Sequence, residues 1–329
     1  MKRILMVKTT SMGDVIHALP AVQDILQHFP DAQIDWIVEE NFADIPRLHP
    51  HVHQVFTVAV RRWRKQLLQC TTWREIRAVK RALAAQTYDA VIDVQGLVKS
   101  AWMARWAHGP HHGYDAQSIR EPLASHFYQH RHAISYQQHA VVRIRTLMAL
   151  SLGYAAPQDL PHYGLRETQS IVAESPTLTL PPLFWIALHA TSRDSKLWPE
   201  DHWIALGQHY AAQGLAMCLP WASAAEKSRA EQIGLQVPQA LVLPKLSLQQ
   251  LATVIPQAQF AVGVDTGLSH FSAALDVPVV ALYTDTDPGL TGVAGGSKAA
   301  AINLGSQQQV PEVAEVVAAV AQVVASQTQ

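Results

Sequence analysis

The part of the sequence that decides the fold lies at residues 259–275, which read QFAVGVDTGLSHFSAAL. Phe260–Val264 is a short apolar run with the length of a buried strand, and a helix-compatible segment follows the turn at Gly267. A strand that turns through a glycine into a helix directs several free backbone N–H groups and the positive end of the helix dipole towards one point. The stretch therefore predicts an anion site. The competing interpretation is that Asp265 and Thr266 only cap the helix.

Length and composition indicate a globular protein of about two domains. Of the 329 residues, 49% are hydrophobic, and the longest apolar runs are far shorter than a membrane span. The basic start of the chain is followed by a short apolar run, Ile4–Val7, which is too short for the apolar region of a signal peptide. Two cysteines fit a reducing compartment rather than a disulfide framework. We therefore expect a cytoplasmic protein.

Charge is distributed unevenly along the chain. Residues 61–81 contain eight Lys or Arg and one acid, so this window carries +7 while the whole chain carries −1. A basic surface on an otherwise acidic protein indicates an anionic partner. A solvated helix face is the common alternative meaning of such a run.

Strand-like runs alternate with helical segments through the first half of the chain, beginning with Ile4–Val7. This alternation predicts a parallel, doubly wound sheet. Asp14 follows the first strand, in the loop that leads into a helix, and ligands of open α/β sheets bind at that edge. A helix cap is the competing role for Asp14. A second strand end with a glycine turn follows at 93–97.

A second β-α series begins after a proline-rich stretch. We predict an N-terminal Rossmann-like domain over 1–155, a linker over 156–183 and a C-terminal Rossmann-like domain over 184–310. The segment 311–329 has an apolar stripe at helical spacing, and we expect this helix to pack back towards the N-terminal domain. Residues 108–139 contain seven histidines without the HExxH or cysteine pattern of a metal site, so no metal is expected there.

Three motifs together resemble those of the ADP-heptose glycosyltransferases, the lipopolysaccharide heptosyltransferase family. They are SMGDVIH at 11–17, the loop 191–196 and VDTGLSH at 264–270, and the resemblance extends over the whole chain. It implies an α/β GT-B fold of two facing Rossmann-like domains. It also implies an inverting, metal-independent transfer of heptose from ADP-heptose, without a cofactor, to a Kdo residue of Kdo2-lipid A. We expect a monomer that works at the cytoplasmic face of the inner membrane.

The chemistry of such a transfer gives the matched residues their roles. An inverting reaction needs a base near the acceptor hydroxyl, and Asp14 matches the family's base. A departing diphosphate needs positive charge and hydrogen-bond donors, and Lys196 matches the family's cation. Glu226 matches a ribose-binding position, unless a capping box with Ser223 occupies its carboxylate. The residues that the resemblance assigns to the donor are Thr191, Ser192, Lys196, Glu226, Leu246, Asp265, Thr266, Gly267, Leu268 and His270.

The basic window then has a candidate partner. Kdo carries carboxylates and lipid A carries phosphates, which basic side chains would bind, and we expect Trp63 to rest at the membrane interface. The anionic inner-leaflet surface is a further expected partner. The residues assigned to the acceptor are Ser11, Gly13, Arg61, Arg62, Arg64, Lys65, Lys99 and Arg120.

Other interpretations remain open. A heptosyltransferase that adds the second heptose would share the donor chemistry and differ in its acceptor. A nucleotide-sugar epimerase of the same fold would leave the basic window unexplained, and a silent nucleotide-binding module would tolerate the loss of Asp14. An NAD oxidoreductase is disfavoured because TTSMGD stands where GxGxxG is required. No nucleic acid is expected as a partner.

Overall fold

The structure is a computed structural model that describes residues 1–165, 178–307 and 309–326. The chain forms two compact units, Met1–Asp159 and Leu160–Gln329. The proline-rich stretch predicted as a linker is divided between them, because its first four residues belong to the first unit and the rest to the second. Residues 166–177 of that stretch lie outside the described part of the chain.

The first unit contains a six-stranded parallel sheet with the order β3-β2-β1-β4-β5-β6. Its central strand β1 is an apolar run whose last four residues are fully buried, as expected for a strand covered on both faces. The strands are β1 (Arg3–Val7), β2 (Gln33–Glu39), β3 (Val52–Val58), β4 (Ala90–Asp93), β5 (His111–Tyr114) and β6 (His130–His132). The helices are α1 (Met12–Ile16), α2 (Leu19–His28), α3 (Asp44–Arg47), α4 (Val60–Trp63), α5 (Cys70–Ala84), α6 (Val98–Ala104) and α7 (Ala140–Leu152).

The second unit repeats this plan with the order β12-β11-β10-β7-β8-β9, again with parallel neighbours. In both sheets the first and fourth strands of the unit are adjacent, which places the topological switch point between them. The strands are β7 (Phe184–Leu188), β8 (Ala216–Leu219), β9 (Leu241–Val242), β10 (Ala261–Val264), β11 (Val279–Tyr283) and β12 (Ala301–Gly305). The helices are α8 (Glu200–Ala211), α9 (Ala224–Gly234), α10 (Leu248–Val254), α11 (Gly267–Ala274) and α12 (Val313–Ala325). The prediction of two Rossmann-like α/β units is confirmed.

The last helix, α12, packs on the sheet of its own unit. It contacts β11, β12 and α8, and Val316, Val320 and Val323 are buried in the apolar core of the second unit. An apolar stripe is buried against the nearest apolar surface, which here is the sheet that contains the preceding strand. The expectation that this helix packs back towards the N-terminal domain stays a prediction.

No helix in the described part of the chain combines the length and apolar character needed to cross a bilayer.

Candidate active site

The switch point of the second unit lies between β7 and β10, so the loops that follow these strands emerge side by side. The turn from β10 into α11 is held by Ser269, whose Oγ donates to the Val264 carbonyl at 2.7 Å. This contact requires a glycine at position 263, because a Cβ there would lie 2.2 Å from that Oγ. The sequence pattern indicated the turn at Gly267 but did not indicate this role of Gly263.

The start of α11 leaves donors available for an anion. Thr266 is the N-cap residue in extended conformation, with φ −143° and ψ 155°, yet its side chain makes no capping hydrogen bond, and the first turn contains no acid. The Asp265 carboxylate instead accepts hydrogen bonds from Lys196 Nζ and from Thr286 Oγ1, the latter at 2.7 Å. The interpretation that these residues only cap the helix is therefore not supported, and the first-turn N–H groups of Gly267 and Leu268 suit an anion.

Lys196 is a largely enclosed cation at this point. It ends a short 3-10 helix, Asp194–Lys196, and its side chain is 14% exposed against 19% for its partner Asp265. Thr191 Oγ1 donates to the Asp265 carbonyl at 2.9 Å, which ties the β7–α8 loop to the end of β10. The ammonium is therefore held in one place beside the uncapped helix start, as a site for a diphosphate requires.

A second set of contacts joins the β7–α8 loop to the loop after β11. Thr284 Oγ1 donates to the Ser195 carbonyl at 2.8 Å, and Ser195 Oγ donates to Asp285 Oδ2 at 2.7 Å. Together with the bond from Thr286 to Asp265, these contacts hold the segment that carries Lys196. This supporting role was not predicted, although the polar run DTD at 285–287, directly after an apolar strand, was an available signal.

The remaining residues predicted to bind the donor differ in their hydrogen bonds and in their burial. The predicted capping box at Ser223 forms only in part: Ser223 Oγ accepts from the Glu226 N–H at 3.2 Å, whereas Glu226 Oε2 accepts from the Ala222 N–H at 2.7 Å. Leu246 is half-buried before α10, Ser192 is exposed in its loop, and His270 is buried within α11. Their contact with a donor stays a prediction.

Asp14 forms the helix cap that was the competing prediction for this residue. It is the third residue of α1, and its Oδ2 accepts from the Ser11 N–H at 2.8 Å and from Ser11 Oγ at 2.7 Å, which is a capping-box arrangement. Its Oδ1 lies 3.4 Å from Lys8 Nζ. Although protein surrounds the carboxyl group, 36% of the side-chain surface is open to solvent. The cap therefore uses one oxygen and leaves the other within reach of a ligand.

Asp14 is ionised at neutral pH. Burial alone would raise the pKa of this carboxyl, but the Lys8 ammonium and the Ser11 donors outweigh burial and hold the pKa well below its usual range. Lys8 lies at the end of β1 with 7% of its side chain exposed. This electrostatic role of Lys8 was not predicted.

The loop that carries Asp14 is fixed by its neighbour at the switch point. Gln95 Oε1 accepts from the backbone N–H groups of Thr9 and Thr10 at 2.9 and 3.1 Å. Fully buried Asp93 in turn accepts from the backbone N–H groups of Gln95 and Gly96, so the loop after β4 is itself held. Burial raises the pKa of Asp93 against the opposing effect of these donors. Neither role was predicted.

The predicted basic acceptor residues divide into two groups. Arg61, Arg64 and Lys65 are exposed cations. Arg62 pairs with Glu40 at 3.0 Å and with Glu75 at 2.9 Å, so its charge is already compensated within the protein. Contact of Arg62 with an acceptor anion stays a prediction, and it would compete with these two ion pairs.

The expectation for Trp63 is wrong. Only 6% of it is exposed, it belongs to the apolar core of the first unit, and its Nε1 donates to Glu75 Oε2 at 2.7 Å. The cause is the short helix α4, whose last residue points into the core while its neighbours remain at the surface.

The other acceptor predictions lie on two regions of the first unit. Ser11 is exposed and Gly13 half-buried at the start of α1. Lys99 and Arg120 are both exposed, and a hydrogen bond from the Val98 N–H to Glu121 Oε2 at 2.7 Å places their two segments side by side.

The histidine-rich stretch forms a stack at the edge of the first sheet. The ring centroid of His112 lies 4.4 Å from that of His130 and 5.7 Å from that of His132. Burial, followed by the charges of the neighbouring histidines, lowers the pKa of His112 to about 4. Within residues 1–165, 178–307 and 309–326, no group of three His, Cys, Asp or Glu is arranged to hold a metal ion.

These two switch-point sites lie in a chain whose residues 76–320 match the family model Glycosyltransferase family 9 (heptosyltransferase). The chain belongs to glycosyltransferase family 9. It is an enzyme of the heptosyltransferase type, and the resemblance that the motifs indicated is confirmed.

Individual family 9 proteins are similar over nearly the whole chain. Lipopolysaccharide heptosyltransferase 1 of Escherichia coli (strain K12) is 46% identical over 291 residues, which are 88% of this chain and 90% of that protein. The solved structure of E. coli heptosyltransferase WaaC with ADP has a TM-score of 0.88 at 44% identity and covers 99% of both chains. The same enzyme with ADP-2-deoxy-2-fluoro heptose gives a TM-score of 0.85 at 43% identity, covering 98% of this chain and 99% of that chain.

A more distant likeness concerns the fold alone. E. coli ADP-heptose lps heptosyltransferase II has a TM-score of 0.77 at 18% identity, with 100% of both chains covered. The predicted GT-B class is confirmed. Family membership also favours a glycosyltransferase over the epimerase and over a silent nucleotide-binding module.

Proposed function

We propose that this family 9 enzyme transfers L-glycero-D-manno-heptose from ADP-heptose to a Kdo residue of Kdo2-lipid A in lipopolysaccharide core biosynthesis. The observation that carries the proposal is the uncapped start of α11 beside the Lys196–Asp265 pair, at the switch point of the second unit. The complexes of the WaaC enzyme with ADP and with a fluorinated ADP-heptose support this choice of donor.

In the proposed mechanism the second unit binds the leaving group. The first-turn N–H groups at Gly267 and Leu268 and the Lys196 ammonium receive the diphosphate, where negative charge grows as the bond to the anomeric carbon breaks. Asp265 holds Lys196 in position, and Glu226 binds the ribose hydroxyls. These protein groups supply the positive charge, so the mechanism is proposed without a metal or a cofactor.

The first unit supplies the base. The acceptor hydroxyl oxygen forms a bond to the anomeric carbon on the face opposite the diphosphate, and its proton passes to Asp14. A carboxylate whose pKa is held low is a weak base for a free hydroxyl. Its proton transfer therefore occurs late, once the partly bonded oxygen has become acidic, and this order fits an inverting displacement.

The acceptor is proposed from the named relatives and from surface charge. Relatives of 46% identity carry the name lipopolysaccharide heptosyltransferase 1, whereas heptosyltransferase II is 18% identical. The exposed cations Arg61, Arg64 and Lys65 suit the anionic groups of an acceptor attached to lipid A. The proposed setting is the cytoplasmic face of the inner membrane, with the enzyme acting as a monomer.

The test is heptose transfer in chelator with two acceptors, Kdo2-lipid A and its mono-heptosylated product. Transfer to the first acceptor only is the expected result. Transfer to the second acceptor alone would retain the donor assignment and refute the acceptor assignment. Loss of transfer in chelator, with recovery on adding a divalent ion, would refute the metal-independent mechanism.

A further inference from the structure

An apolar tip is exposed on the first unit between α4 and α5. Leu68 is 101% exposed and Leu67 is 52% exposed, so neither side chain has an apolar partner that covers it. Trp73, in the first turn of α5, is 47% exposed. Large apolar side chains gathered at one exposed point mark an interaction site. We call Leu67, Leu68 and Trp73 the apolar tip.

Hydrogen bonds give the apolar tip a defined shape. Thr72 Oγ1 donates to the Gln66 carbonyl at 2.9 Å, and Trp73 Nε1 donates to the Leu67 carbonyl at 2.8 Å. The turn is therefore fastened to the first turn of α5. The one polar atom of the indole is already paired within the protein, so the ring can enter an apolar phase without losing a partner.

The exposed face of α5 is basic. Thr72 and Leu83 are buried and Ile76 and Val79 pack against the core, which fixes the inward face of the helix. Trp73 lies outside this inward face, on a flank of the helix that it shares with exposed cations. These cations are Arg74, Arg77, Lys80 and Arg81, and the exposed Arg64 and Lys65 precede the tip.

No unpaired acid offsets this charge between residues 61 and 81, all of which the structure describes. The one acid in that segment, Glu75, pairs with Arg62 at 2.9 Å and accepts from the buried Trp63. The same two contacts fix α4 against α5. The surface thus combines a preformed apolar point with uncompensated positive charge.

We propose that the apolar tip inserts into the surface of an anionic bilayer while the basic face of α5 lies on its headgroups. The inference deepens the proposed function and rests on it in one respect, since an acceptor attached to lipid A requires the enzyme to work at a bilayer. Charge alone would suit a nucleic acid or an acidic protein, but those partners would leave Leu68 in water. Apolar residues, tryptophan and cations on one element are typical of interfacial binding.

The proposal predicts how strongly the affinity for vesicles depends on the leucines and on the cations. Burying one leucine strengthens binding by about tenfold or more. Each cation near an anionic leaflet adds about fivefold at moderate salt. Binding should therefore weaken with added salt but persist in part, because the leucine contribution is not screened.

The test uses the full chain and vesicles that contain no lipid A. Co-sedimentation is measured on phosphatidylcholine vesicles with and without phosphatidylglycerol, for wild type, for the double variant Leu67→Ser with Leu68→Ser, and for Leu235→Ser. Leu235 is a matched control because it is 87% exposed in the second unit. We expect binding to the anionic vesicles, a loss of more than tenfold in the double variant and no change in the control.

Three results would overturn the proposal: no binding of wild type to anionic vesicles, equal binding by the double variant, or an equal loss in the Leu235 control. Circular dichroism and urea unfolding of each variant verify that the fold of both units is intact. Transfer to a deacylated, water-soluble acceptor separates the two claims. If vesicle binding behaves as expected while that transfer fails, the docking surface stands and the proposed function does not, and the reverse pattern refutes the docking surface alone.

Discussion

An amide at position 14 separates catalysis from helix capping. In Asp14→Asn the remaining side-chain oxygen can still accept from the Ser11 N–H and hydroxyl, so the cap contacts at 2.8 and 2.7 Å are retained. The negative charge beside Lys8 is lost. Asp14→Ala loses both the charge and the cap. Since a cap of this kind contributes about 1 kcal/mol, the Ala variant should be less stable than the Asn variant by that amount.

The rates should follow a different pattern from the stabilities. Loss of a general base lowers kcat by about 10²–10⁴-fold, and both variants lose the base equally. The assay is ADP release at saturating substrates, with urea unfolding and calorimetric ADP binding on the same samples. A matched control is Glu315→Gln, which changes the capping-box carboxylate of α12 without touching either site.

The assignment of Asp14 as the base would be refuted if kcat of the two variants followed their stability against unfolding. If Asp14→Asn turned over at close to the wild-type rate while Asp14→Ala did not, the carboxylate would serve only as a cap. If both variants stayed active, the base would be a different group.

Three further outcomes are expected. Lys196→Gln should lower kcat by about 10²–10³-fold in the ADP-release assay, because it removes a donor at the developing charge, whereas Arg193→Gln at an exposed position of the same loop should leave kcat unchanged. The pKa of His112 is lowered from 6.5 to about 4, so between these pH values the unfolded chain binds a proton at this residue that the folded chain does not. The free energy of unfolding of the first unit should therefore fall by up to about 3 kcal/mol as the pH drops through that window. His112→Gln should flatten this pH dependence in urea titrations. Arg145→Met should cost about 3–5 kcal/mol in urea unfolding because it leaves the buried Asp24 carboxylate without its partner at 2.8 Å, and adding Asp24→Leu should restore most of that stability.

Local signals were sufficient for much of the fold and for the position of both sites. An apolar run followed by a turn predicted a strand, and β10 and α11 lie where residues 259–275 placed them, although α11 begins two residues earlier than expected. Asp14 lies in the predicted loop after β1. These features depend on residues that are neighbours in the sequence, and parallel α/β topology then brings strand ends together at one edge.

Partners distant in sequence could not be predicted. The charge of Arg62 is compensated by Glu40 and Glu75, which lie 22 and 13 residues away. Thr286 reaches Asp265 across 21 residues. A run of basic residues does not reveal which member is paired, and a tryptophan among arginines does not reveal which way it points. The prediction that Trp63 rests at the membrane interface is therefore wrong. Leu68 and Trp73 are the exposed apolar side chains of this part of the chain.

Gln95 has a consequence for how the two units differ. Both sheets have the same strand order, so each provides one switch point where backbone N–H groups converge. In the first unit the amide oxygen of Gln95 already accepts from Thr9 and Thr10, as a ligand oxygen otherwise would. In the second unit the N-cap side chain of α11 leaves its first turn open. The two switch points therefore differ, because loop donors of the first unit are already bound within the protein whereas the start of α11 remains open to an anion.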